Sequence, residues 1–203
     1  MITVVSGLPR SGTSLMMQIL SAGGLPVLTD GARGPDGDNP RGYHEWEPVK
    51  RLRAAPERIV EAEGKAVKVI SSLLAALPAD RCYRVLFMQR PLEEVQESQA
   101  AMILRLGTAG PSMRKVELAA ALRAHLAQVS GWLERQAHME VAWVDYHALL
   151  ARPLEEAARI RGFLGLPLDE ARMAESVDPS LYRQQQAPGA SVAQRSAAVV
   201  GGG

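Results

Sequence analysis

A single cysteine, Cys82, stands among the 203 residues. One thiol can build neither a disulfide framework nor a cysteine metal cluster. Nor do His44 and Glu45 by themselves make a metal-ligand set, so no metal is expected. The formal net charge is only +1. Bulk electrostatics therefore give no reason to expect nucleic acid or a membrane surface as partner. No run of about twenty apolar residues occurs, so no membrane-spanning helix is expected. No basic-then-apolar leader precedes Ile2, so no secretory signal is expected. There is no internal repeat. What remains is an ordinary soluble composition, 47% apolar and 22% charged, on a chain long enough to bury one sizeable core.

Five short strand-like runs recur: Ile2–Ser6, Leu25–Leu28, Lys65–Ile70, Arg84–Gln89 and Glu140–Val144. Continuous apolar stretches such as Val85-Leu86-Phe87-Met88 suit strands buried on both faces. Helical patterns alternate with them, so a parallel α/β sheet flanked by helices is expected. The first helix should span Thr13–Ala22 and stop at Gly23-Gly24. A long polar loop follows from Asp30 to Gly42, then helical segments over Pro48–Glu63 that Pro56 breaks. Pro91 opens another helix. The longest helix should cover Met113–Gln136, with Leu122, Leu126, Val129 and Leu133 as its apolar stripe and Gly131 as a local weakness. A further helix spans Pro153–Leu164 and ends at Gly165. One domain over residues 1–183 is expected, with 184–203 as a low-complexity tail that is disordered in isolation.

The chemistry begins at the first turn. The apolar run Ile2-Thr3-Val4-Val5 leads through Ser6-Gly7-Leu8-Pro9-Arg10-Ser11-Gly12-Thr13-Ser14 into the first helix. A strand, a Gly-rich loop and a helix N-terminus form a cradle in which backbone N–H groups face an anion. Gly7 and Gly12 have the spacing of an ATP-binding phosphate loop, but Thr13 stands where that loop has its lysine. The cation is instead Arg10, inside the loop. A second segment, Arg84 to Ser98, is a buried strand ending in Arg90, then a Pro-started helix carrying Ser98. Ligands of parallel sheets bind at the carboxyl ends of the strands, so Arg10 and Arg90 share one edge.

Gly7-Leu8-Pro9-Arg10-Ser11-Gly12-Thr13-Ser14 resembles the 5′-phosphosulfate loop of sulfotransferases that use 3′-phosphoadenosine 5′-phosphosulfate (PAPS). In that resemblance Pro9, Arg10, Ser11, Gly12, Thr13 and Ser14 hold the 5′ end of the donor. Arg90 and Ser98 match the pair that binds its 3′-phosphate. Val141 to Leu150, Pro153 and Phe163-Leu164-Gly165-Leu166 are similar to the family's later strand, Tyr-x-x-Leu helix start, Pro and Phe-Leu-Gly segment. The resemblance covers Ile2 to about Leu166. It implies a P-loop-type single domain and metal-independent, in-line sulfuryl transfer from PAPS to a hydroxyl or amine acceptor, leaving 3′-phosphoadenosine 5′-phosphate (PAP). Golgi members carry a membrane anchor, so its absence points to the cytoplasm. The stretch Asn39 to Glu47 is similar to a segment of bacterial sulfotransferase-like proteins.

The general base departs from the pattern. Many members place a His after a Lys-Thr pair on the third strand run. Here Lys68 matches the lysine, but Ile70 occupies the histidine position. Glu45 is the expected base, with His44 next. Against that role, Glu45 and Glu47 suit a helix start at Pro48. Tyr43 and Trp46 either line an acceptor pocket or pack the loop, packing being the expected role of Trp46. Two rival readings stand beside sulfuryl transfer. One is a kinase or NTPase with a degenerate loop, in which Asp145 holds Mg²⁺. The other is a non-catalytic nucleotide-binding protein on the same scaffold.

Overall fold

Strand β1, Ile2–Gly7, is buried along its whole length and sits inside the sheet. The computed structural model describes residues 1–31, 34, 42–106 and 115–178. The tail 184–203 and the greater part of the Asp30–Gly42 loop lie outside them. On either side of β1 run β2, Ala66–Lys68, and β3, Tyr83–Gln89, and β4, Met139–Asp145, pairs with β3. The order is β2-β1-β3-β4 and every pairing is parallel. Val4 and Val85 of adjacent strands are fully buried, as a sheet covered on both faces requires.

The helices are α1 (Thr13–Ala22), α2 (Leu92–Leu106), α3 (Lys115–Leu133), α4 (Tyr146–Ala151), α5 (Pro153–Leu164) and α6 (Glu170–Glu175). One core lies between the sheet and α1, α4, α5 and α6, with Met16, Met17, Leu20, Leu149 and Ile160 at its centre. The other lies on the opposite face. It holds Leu52, Ile59, Val69, Leu74, Phe87 and Leu133, with Leu126 and Val129 of the α3 stripe packed against it.

One expectation needs correction. Leu25–Leu28 is not a strand but makes one isolated bridge, Val27 to Ala66. Pro26 has no N–H to give a ladder, and it contributes only its carbonyl, which accepts from Ala66 N at 2.8 Å. The Pro48–Glu63 segment forms two 3₁₀ helices, Glu47–Arg51 and Pro56–Ala62. Pro48 and Pro56 each occupy a first turn, where the missing N–H leaves no helical bond unmade. Thr13–Ala22 and Pro153–Leu164 have the expected bounds. The α5 terminus at Gly165 has φ 59°, the left-handed cap. The long helix starts within the expected segment, of which Met113 and Arg114 lie outside the described residues, and it runs unbroken through Gly131.

Candidate functional site

The loop from Leu8 to Gly12 joins the end of β1 to the start of α1. Gly12 precedes the helix with φ 101°, and a Cβ there would come within 2.5 Å of the Tyr146 ring. Only glycine combines that backbone with that closeness. Arg10 is also left-handed, at φ 75°. Such a conformation costs a residue with a Cβ roughly 1–2 kcal/mol, so surrounding contacts must hold it. They do. Arg10 Nε donates to Ser98 Oγ at 2.9 Å, and Arg90 Nη1 donates to the Arg10 carbonyl at 3.2 Å. Gln99 Nε2 adds a bond to the Pro9 carbonyl at 3.2 Å. The fold thus brings Arg10, Arg90 and Ser98 together at the carboxyl edge of the sheet.

Arg90 is itself buried. Its Nε donates to Glu94 Oε2 at 2.8 Å, and the two side chains are only 6% and 3% exposed. The other Glu94 oxygen lies 2.9 Å from His147 Nε2. The Arg90 guanidinium stacks over Tyr146, 4.4 Å from the ring centre. Burial pushes the Tyr146 phenol above its ordinary pKa, opposed by the Arg90 charge. Beneath the loop Ser11 Oγ is buried and has no hydrogen-bond partner among the described residues. A buried orphan hydroxyl is costly, and this one sits in the loop just before the N-terminus of α1.

A second group joins the loop from the other side. Lys68, beside Val5 in the β1–β2 register, donates to Ser14 Oγ at 3.4 Å and to the Tyr43 carbonyl. Ser14 Oγ donates to the same carbonyl at 3.2 Å. Glu45 lies 3.7 Å from Lys68 Nζ and 3.9 Å from Lys50 Nζ. Glu45 therefore joins the site through Lys68. Its neighbour His44 is half-buried with φ 48°. Tyr43 and Trp46 are buried, and Trp46 belongs to the second core with Arg58 over its ring at 5.6 Å.

Asp145 caps α4, accepting from Ala148 N at 2.7 Å. Among the described residues no three His, Cys, Asp or Glu side chains group as a metal site would require. No described helix is long and apolar enough to cross a membrane.

Several partners escaped the sequence reading. Glu94 stands four residues after Arg90, the spacing of a helical ion pair, but that spacing carries no sign that the pair is buried. The His147–Glu94 contact carries no local signal, nor does a hydrogen bond between Ser71 Oγ and His125 Nε2 at 2.8 Å.

Comparison with solved structures gives the fold a relative. The chain is similar to a sulfotransferase domain from the curacin biosynthetic pathway, with 16% identity over 92% of each chain and a TM-score of 0.52. A sugar kinase from Janibacter sp. is similar at 14% identity over 88% of this chain and 96% of that one, with a TM-score of 0.42. No protein-family model matches the chain, and no curated protein sequence matches it significantly. At these identities the likeness concerns the fold, an α/β layer structure with a parallel four-stranded sheet.

Proposed function

We propose that the protein is a transferase that moves a sulfuryl group from PAPS to a hydroxyl or amine acceptor. The observation that carries this reading is the convergence of Arg10, Ser98 and Arg90 on one loop that has no Walker lysine. The loop N–H groups and the α1 N-terminus would hold the 5′-phosphosulfate, with Ser11 Oγ gaining the partner it lacks. Arg10 would stabilise charge developing on the bridging oxygen as the sulfur–oxygen bond breaks. Ser98 Oγ accepts from Arg10, which leaves its own proton to donate to the 3′-phosphate beside Arg90. Arg90 would contribute geometry as well as charge, because its contact to the Arg10 carbonyl shapes the loop. Lys68 and Ser14 line the opposite side, where the transferring group meets its acceptor. Glu45, bracketed by Lys68 and Lys50, is the expected base for the acceptor proton and is equally suited to fixing Lys68.

The test is thermal unfolding with PAP, with ATP plus Mg²⁺, and with adenosine 5′-phosphate. A ligand that binds only the native state stabilises it by about 2.7 kcal/mol at a hundred times its Kd. Stabilisation by PAP and not by ATP–Mg²⁺ is expected. The reverse pattern would refute sulfuryl transfer and favour phosphoryl transfer on the same scaffold. PAP binding without turnover over a broad acceptor panel would favour the non-catalytic reading.

A further inference from the structure

The Glu94 carboxylate, in the first turn of α2, has basic partners on two other elements. One oxygen accepts from Arg90 Nε at 2.8 Å, just past the end of β3. The other lies 2.9 Å from His147 Nε2, in the first turn of α4. A carboxylate only accepts, so Nε2 carries the shared proton whether the ring is neutral or charged. The two partners differ in access. The Arg90 side chain is 6% exposed and keeps its charge at every working pH. His147 is 44% exposed, so its ring exchanges protons with solvent. Other charges stand around the imidazole. On α4 itself, Asp145 accepts from Ala148 N at 2.7 Å, and the Tyr146 ring meets the imidazole edge-on at 6.0 Å. Burial raises the Tyr146 pKa, so that phenol stays neutral. On α2, Glu93 pairs with Arg123 at 3.6 Å. On β4, Glu140 pairs with Arg84 at 3.0 Å. Towards α5, Arg152 pairs with Glu155 at 3.2 Å and Arg159 with Glu156 at 2.6 Å, while Arg161 pairs with Glu170. Beyond Arg90 lies Arg10, bonded to Ser98.

We infer that His147 is a positioning residue of the donor site, acting through Glu94 on Arg90, and that its protonation tightens the hold on the donor's 3′-phosphate. The inference rests on the reading that gives this phosphate to Arg90. With a neutral imidazole, the chain Arg90–Glu94–His147 carries no net charge. One added proton makes it a net cation. The carboxylate then divides its charge between two cations, so it opposes an incoming phosphate less. Glu94 and Arg90 are shielded from water, and there a change of one charge is felt more strongly than at the surface. Histidine is the residue whose charge ordinarily changes between about pH 5 and 8. The sign follows. PAP and PAPS, which share the 3′-phosphate, bind more tightly as pH falls through that range and more weakly as it rises.

The experiment titrates the full chain with PAP by calorimetry between about pH 5.5 and pH 8.5, for wild type, His147→Gln and His147→Lys. Gln keeps an N–H donor for Glu94 and cannot gain a proton. Lys keeps a positive charge throughout. The phosphates of PAP take up protons near about pH 6, an effect common to all three proteins, so the readout is the ratio of affinities at each pH. At the alkaline end wild type and His147→Gln should agree. Towards the acid end wild type should become at least about fivefold tighter than His147→Gln. His147→Lys should exceed His147→Gln by a similar factor at every pH. A ratio of wild type to His147→Gln that stays constant with pH marks a structural contact alone and would overturn the inference. So would a Lys variant no tighter than the Gln variant. A Glu94→Gln background tests the route. There, replacing His147 by Gln should change the pH profile far less. An undiminished effect in that background would mean that His147 acts on the ligand directly, and would overturn the positioning role. PAP binding with a flat ratio would leave the donor reading standing. Wild type that binds no PAP at any pH would instead refute that reading, and this inference with it.

Discussion

Removing the Arg90 side chain should damage stability as much as ligand binding. Arg90→Met leaves Glu94, 3% exposed, with His147 as the remaining charge partner described for it. It also removes the donor to the Arg10 carbonyl. Breaking a buried pair from one side costs about 3–5 kcal/mol, because the surviving charge stays out of water. For a domain of this length that is a drop in melting temperature of roughly 6–20 °C. The same pair replaced on both sides, Arg90→Met with Glu94→Leu, leaves no stranded charge. Such double replacements are often close to neutral. Urea unfolding of wild type, both single variants and the double variant completes the cycle. The double variant should be much more stable than the sum of the single losses predicts. A single loss under about 1 kcal/mol, or simple additivity, would refute the buried-pair argument. PAP binding would fall in the double variant even where stability is recovered, which separates Arg90's two roles.

Other perturbations probe other parts of the molecule. Gly12→Ala should lose roughly 1–2 kcal/mol from the left-handed backbone alone, with a further loss from the Tyr146 ring 2.5 Å from the new Cβ, read by chemical denaturation. Asp145→Ala should cost about 1 kcal/mol through the lost α4 cap and leave PAP stabilisation unchanged; loss of a Mg²⁺-dependent nucleotide response would instead return Asp145 to metal binding. Burial raises the Tyr83 pKa to about 12 and moves Tyr146 in the same direction. Both phenols keep their protons in the fold after an unfolded chain would have lost them near pH 10. Their contribution is therefore complete below about pH 10 and declines as pH rises through the raised values, so ultraviolet titration should show late tyrosine ionisation accompanied by falling stability. Leu52→Ala, at a fully buried position of the second core, should cost about 2–5 kcal/mol in the same urea assay.

Features encoded by neighbours in sequence were legible. The β1 run, Gly12 and the α1 start predict a strand–loop–helix unit, and the chain builds one over Ile2–Ala22. Pro153 and Gly165 mark both ends of α5 because one fits a first turn and the other a left-handed cap. Leu25–Leu28 misled because its apolar content matches a strand while Pro26 denies it a ladder. The Glu47–Ala62 region was legible as short helical segments divided before Pro56. Its prolines announced short pieces, but sequence period alone does not separate one turn of α-helix from 3₁₀ geometry.

At the site the boundary between legible and hidden follows the same physics. Arg10, Arg90 and Ser98 each sit at a strand end or on the helix after it, so parallel topology alone brings them to one edge. What topology does not reveal is which of them the protein uses to hold the others. Arg10 is left-handed and hydrogen-bonded to Ser98, and Arg90 grips its carbonyl while Glu94 grips Arg90. A loop held this way is organised before any anion arrives, so binding need not order it, and less of the interaction energy is lost to entropy. The same arrangement means that an anion entering beside Arg90 meets the Glu94 carboxylate behind it. Affinity should then depend on Glu94 as well as on the arginines. Glu94→Gln removes the opposing charge while keeping an oxygen to accept from Arg90 Nε, and should tighten PAP binding even as the fold loses stability. Calorimetric titration of that variant decides the point: a weaker affinity would mean that Glu94 serves chiefly to aim Arg90, and that geometry outweighs charge at this edge of the sheet.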